Sequence, residues 1–139
     1  MGPARRRAML ALYPKKAQLE ALARGADGEP VVMLNLLRFK ERATAPDEGA
    51  SGEEAYRRYG DAMRALVEAR GGRVLWQGRL ERQVIGEGAE GFHVAALVEY
   101  PSARAFVEIA TSAEVAAIAV HRAAGLEGQW LVAARTLAD

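Results

Sequence analysis

The chain contains no cysteine, which removes disulfides, thiolate metal sites and a cysteine nucleophile together. It has two histidines, and they do not stand at His-x-x-x-His or any similar spacing. No histidine-based metal motif can be assembled from them, and no metal or other cofactor is expected. His93 and Glu99 share one face of a predicted strand, but the residues between them hold them roughly 20 Å apart, too far for one ion. There is no Gly-x-Ser-x-Gly elbow and no local Ser-His-Asp set, so covalent hydrolysis is not expected. Apolar runs fall well short of the roughly 20 residues of a membrane span. An excess of one charge is missing as well. Lys plus Arg number 19 against 18 Asp plus Glu, a net charge of +1, which leaves no electrostatic footprint for nucleic acid or a membrane surface.

What is present begins with Arg5-Arg6-Arg7 ahead of a short apolar stretch, Ala8 to Leu12. A signal peptide needs an apolar core of roughly 7–15 residues. The stretch is shorter and Lys15-Lys16 follow it closely, so the reading is a cytoplasmic protein with a solvated basic tail. Residues 1–29 are read as that tail plus a short helix opened by Pro14 and stopped near Gly25. Residues 30–139 are read as one domain.

From Val31 the patterns run strand, helix, long strand, strand, helix, strand. Val31 to Phe39 is almost continuously apolar, the mark of a strand covered on both faces. The polar segment 40–52 is long for a compact domain and reads as a mobile loop or lid. Ser51 and Glu54 form a capping box, and Tyr56, Tyr59, Met63, Leu66 and Val67 then repeat at helical spacing up to Gly71-Gly72. Val74 to Gly86 is strand-like and too long to be regular, with Gly78 as the expected bulge. The glycine turn 86–91 leads into a strand rather than a helix, so it is a hairpin turn and not a nucleotide loop. Phe92 to Tyr100 is a second doubly apolar strand. Two successive capping signals predict a broken helix, 103–110 and 113–124, ended by Gly125. Gln129 to Thr136 supplies the last strand.

This order is that of a ferredoxin-like α+β domain, βαββαβ, with a four-stranded antiparallel sheet and helices on one face. Strands apolar on both sides need a second cover, which argues for a homodimer joined through its sheet faces.

Four segments carry a resemblance: Val31 to Phe39, Gly71-Gly72-Arg73-Val74 with Trp76, Val98 to Ser102, and His121 to Leu126. Together they resemble the DUF1330 family, within the dimeric α/β-barrel superfamily, over about 30–137. The segment 13–29 is similar to an extra N-terminal helix in one branch of that family. The resemblance implies a dimeric barrel of two facing sheets and a pocket between the sheet and the helices of each subunit. Superfamily members include cofactor-free monooxygenases, isomerases, cyclases and haem-degrading enzymes, and fold does not choose among them.

Candidate residues each carry two readings. Asn35, an amide inside a buried strand, is a satisfied structural group or a pin that polarises a carbonyl. His121 and Arg122 near a helix C-terminus complement the dipole, or act as proton-transfer group and anion anchor. Arg38 beside the 40–52 loop pairs on the surface or grips a carboxylate. Trp76 fills core or interface, or walls a pocket. Tyr56 and Tyr59 belong to the core face of their helix, unless a hydroxyl points into a pocket. His93, opening a strand near a turn, reads as exposed. The expectation is a small-molecule pocket with Asn35 and His121 catalytic and Arg122, Arg38, Trp76 and Tyr59 binding substrate, in a cofactor-independent isomerase, cyclase or monooxygenase. The alternative is a non-catalytic dimer that binds or senses a small molecule through the same pocket.

Overall fold

The structure, a computed structural model, describes residues 9–138. The arginine triplet lies outside them. Eight elements follow in order: α1 Lys16–Arg24, β1 Val31–Phe39, α2 Gly52–Ala69, β2 Arg73–Arg79, β3 Val94–Tyr100, α3 Ala103–Ala110, α4 Ala113–Gly125 and β4 Leu126–Ala134. The strands form one sheet in the order β2-β3-β1-β4, and every neighbouring pair is antiparallel. This is the ferredoxin-like arrangement, with α1 added at the N-terminus.

Local chemistry accounts for the helices. Ser51, Ser102 and Ser112 each accept a hydrogen bond from the backbone N–H three residues on, capping α2, α3 and α4. The break between α3 and α4 falls where two capping signals compete: Thr111 ends one helix and Ser112 starts the next.

The odd-numbered residues of β1 face the helices. Val31 and Met33 pack with Val67, Phe106, Ile109 and Val115, while Leu37 and Phe39 meet Leu126 and Tyr56. Leu19 and Leu22 of α1 lie against the first cluster, although α1 itself buries no residue. The even-numbered residues point to the opposite face. There Leu34 and Leu36 register with Leu97 and Ala95 on one side and with Val132 and Trp130 on the other. Trp76 joins them across from Leu97. The second face is therefore apolar, yet Trp76 is 53% and Val132 50% exposed.

Four details differ from the sequence reading. The strand expected over 74–86 ends at Arg79, since the sheet ladder with β3 stops at the Arg79–Val94 pair and only the Leu80 N–H bond to His93 O continues it. Its irregularity lies between Val74 and Trp76 rather than at Gly78. Gly78 instead makes room for the Trp76 indole, which a β-carbon there would meet at 2.5 Å. The strand before Pro101 starts at Val94, not Phe92. β4 starts at Leu126, directly after α4, because Gly125 is the last helical residue and not a spacer.

The 40–52 segment is packed down. Ala43 N–H donates to Ala50 O at 3.0 Å and Thr44 N–H to Ala124 O at 3.0 Å. Ala43 and Ala50 are buried against Ala55 of α2 and Ala124 of α4. Small residues also let α2 and α4 touch through backbone: a β-carbon on Gly125 would lie 2.2 Å from Gly52 O. Among the described residues, no helix is long and apolar enough to cross a membrane.

Candidate functional site

A cavity of about 1750 Å³ lies between the helix-facing side of the sheet and α1, α2 and α4. Its walls are mostly apolar, with Leu22, Met33, Leu37, Met63, Val115 and Leu131 among them. The polar residues lining it include Asn35 from β1, Tyr56 and Tyr59 from α2, Arg122 from α4 and Gln129 from β4. Their convergence follows from period. Asn35 stands on the helix-facing register of β1, Tyr56 and Tyr59 are one turn apart on α2, and Arg122 is seven residues after Val115 on the same face of α4.

Arg122 is fixed in place through two amides. The Asn35 amide nitrogen donates to Met33 O at 3.2 Å and Ala96 O at 3.4 Å. Its oxygen is thereby turned toward Gln129, whose Nε2 donates to it at 3.5 Å. The Gln129 oxygen is then free to accept from Arg122 Nη2, at 2.6 Å. The Arg122 guanidinium carbon lies over the Tyr13 ring, 5.6 Å from its centre, a cation–π contact.

The two tyrosines stack as a pair, ring centres 5.5 Å apart, with Tyr56 also 5.4 Å from Phe39. Burial pushes both hydroxyls above the usual phenol range, with Arg122 opposing the shift. They therefore stay protonated at neutral pH and act as hydrogen-bond donors. Neither hydroxyl bonds a described residue, and no enclosed side-chain oxygen or nitrogen lacks a partner among the described residues. The hydroxyls open into the cavity.

Of the residues singled out in sequence, the structure brings Asn35, Arg122, Tyr56 and Tyr59 to one cavity and places His121, Arg38, Trp76 and His93 elsewhere. His121 does not line this cavity, because on α4 it is one residue round from Arg122 and faces the 40–52 segment. Its Nδ1 is 2.8 Å from Asp47 Oδ2. Asp47 has a side chain only 2% exposed and is also bound by Arg58 of α2. The His121 hydrogen bond, then that of Arg58, holds the Asp47 carboxyl below the ordinary range. This trio ties the segment to both helices. Arg38 points to the other side of the sheet and pairs with Glu127 at 3.2 Å. Trp76 is on the outer sheet face. His93 is exposed, as expected, yet it is engaged: its Nδ1 accepts from Phe39 N–H at 3.0 Å, and it stacks on the Phe39 ring.

Gln129, Tyr13 and Asp47 were not singled out. Gln129 and Tyr13 give no pattern of their own, since their roles exist only once β4 and the N-terminal segment are placed beside α4. Asp47 reads as a solvated turn residue, and only packing buries it.

The sequence model of a domain of unknown function, DUF1330, matches residues 50–135. The chain is similar to a protein of unknown function from Rhodopseudomonas palustris, with 34% identity over 94% of this chain and 100% of that one, at a TM-score of 0.85. The crystal structure of the same protein in methylated form gives 34% identity over 92% and 96%, at 0.83. A Bacteroides fragilis protein described as dimeric, of unknown function and ferredoxin-like fold, aligns at 14% identity over 77% of this chain and 96% of that one, at 0.43. Among curated proteins none matches this chain.

Proposed function

This chain belongs to the DUF1330 family, and from that premise we propose that it is a small-molecule-binding homodimer whose ligand occupies the cavity beneath α1, α2 and α4. The observation that carries the reading is the chemistry of that cavity: apolar walls with a few convergent, pre-oriented polar groups, the usual form of a ligand site. Holding is favoured over catalysis because the inner polar groups are donors. The two phenols are protonated and the guanidinium is fixed. The carboxylates among the lining residues are Glu53 and Asp61. Glu53 is engaged by Arg79 at 2.8 Å and Arg57 at 3.2 Å, and Asp61 is exposed on the flank of α2. Among the described residues no base stands over the place a ligand would occupy, so the site polarises and retains an oxygenated molecule rather than deprotonating it. The isomerase, cyclase or oxygenase alternative would need the ligand to bring its own activated proton.

Dimerisation through the outer sheet face is the second half of the proposal. Leu34, Leu36, Leu97, Trp76 and Val132 make a contiguous apolar surface that a second copy of the sheet would cover. Native mass spectrometry of the purified protein tests both halves. The expected species is twice the 15.0 kDa chain mass, carrying a small releasable ligand that is lost in Ala119→Trp, which fills the cavity from α4. A ligand retained in that variant would place binding elsewhere and sink the proposal.

A further inference from the structure

Charge balance around the cavity narrows the ligand, given the binding reading above. Four arginines are among its lining residues: Arg57, Arg64, Arg79 and Arg122. Three hold carboxylates: Arg57 and Arg79 share Glu53, and Arg64 meets Glu68 at 3.0 Å. Arg122 has no carboxylate partner among the described residues. It is half-buried, and its one hydrogen bond goes to a neutral amide, Gln129. A guanidinium withdrawn from water without a counter-charge is costly, and an anion arriving in the cavity would relieve that cost.

The geometry around Arg122 favours one kind of anion. The Tyr13 ring centre lies 5.6 Å from the guanidinium carbon, and all of a guanidinium's N–H donors lie in its own plane. That planar fork matches a carboxylate, whose two oxygens can accept from it together. The hydroxyl-bearing side chains of Tyr56 and Tyr59 line the same cavity as Arg122. They supply neutral donors for the same oxygens. A dianionic phosphate would meet a single free cation here among the described residues and be left half-compensated. Beyond this head-group site Leu22, Met33, Leu37, Met63 and Leu131 line the cavity and give an apolar chain most of its wall.

We infer that the ligand is an amphipathic monocarboxylate, its carboxylate on Arg122 and the two tyrosines and its apolar body along the sheet beneath α1. Gln129 and Asn35 are positioning residues for the arginine and do not themselves contact the ligand.

Isothermal titration with decanoate and decanol, below their aggregation limits, tests this. The full-length protein should bind decanoate at least tenfold more tightly than decanol. Shortening the acid should weaken binding by about fourfold per methylene, the effect of withdrawing apolar chain from water. Arg122→Gln should abolish the preference for the acid, and Arg122→Lys should retain most of it, which separates charge from folding. Equal affinity for acid and alcohol, or a preference surviving in Arg122→Gln, overturns the anionic assignment and leaves the cavity reading in place. If neither compound binds, the cavity reading fails as well.

Discussion

Substituting Gly125 with Ala probes the contact on which the site is built. The added β-carbon would lie 2.2 Å from Gly52 O, 2.7 Å from Tyr56 N and 3.1 Å from Ala55 Cβ. The first two are backbone atoms, so no rotamer change relieves them. A relaxed C–H···O contact needs about 3.3 Å, which requires α2 and α4 to part locally by about 1 Å. Parting them loosens the buried Ala55–Ala124 packing and strains the bond from Lys40 N–H to Gly125 O, now 2.8 Å. Overpacking of this kind costs about 1–3 kcal/mol, and the gain from replacing a helical glycine offsets at most about 1 kcal/mol. With two contacts under 3 Å to backbone, the cost falls at the upper end of that range, so the expected net loss is about 2 kcal/mol, or about 7 °C in Tm for a domain of this size. Urea unfolding at fixed protein concentration measures it: the midpoint should fall with the slope unchanged. A variant within 0.5 kcal/mol of the parent would refute the close-contact reasoning. So would a stabilised one, since it would leave Gly125 as an ordinary helix stop.

Three further outcomes follow from the same geometry. Because the Asp47 carboxyl is depressed in the folded state below its ordinary 3.8, its contribution is complete above that value and is lost as pH falls through the folded one. Asp47→Asn should therefore lower Tm at pH 7, and the gap from wild type should close as pH is taken from 5 toward 2; a gap that stays constant would count against the buried pairing. On the outer face, Trp76→Glu combined with Val132→Asp should convert the proposed dimer to monomer in sedimentation velocity, and a persistent dimer would move the interface elsewhere. Gln129→Leu should keep the fold but weaken decanoate binding by roughly 2- to 10-fold, the worth of one hydrogen bond fixing the arginine; unchanged affinity would remove Gln129 from the positioning chain.

The sequence by itself determined the order and type of the elements, because each was written in a local signal. Apolar runs marked the strands, Ser51 with Glu54 marked one helix start, and two successive capping signals marked the break between 103–110 and 113–124. It also picked out Asn35, Tyr59 and Arg122 by residue type. Their grouping was not legible. His121 and Arg122 are adjacent in sequence and looked like one unit. A helix turns neighbouring residues about 100° apart, so one reaches Asp47 and the other the cavity. The same limit applies to Gly125, whose local role as a helix end concealed its contact with Gly52 across the two helices. Asp47 looked solvated until the 40–52 segment was laid on α2 and α4. Tertiary structure alone decided those pairings, along with the alignment of Asn35, Gln129 and Arg122. Each joins residues far apart in the chain, and hydrogen bonds and close contacts of that kind leave no periodic trace in the sequence.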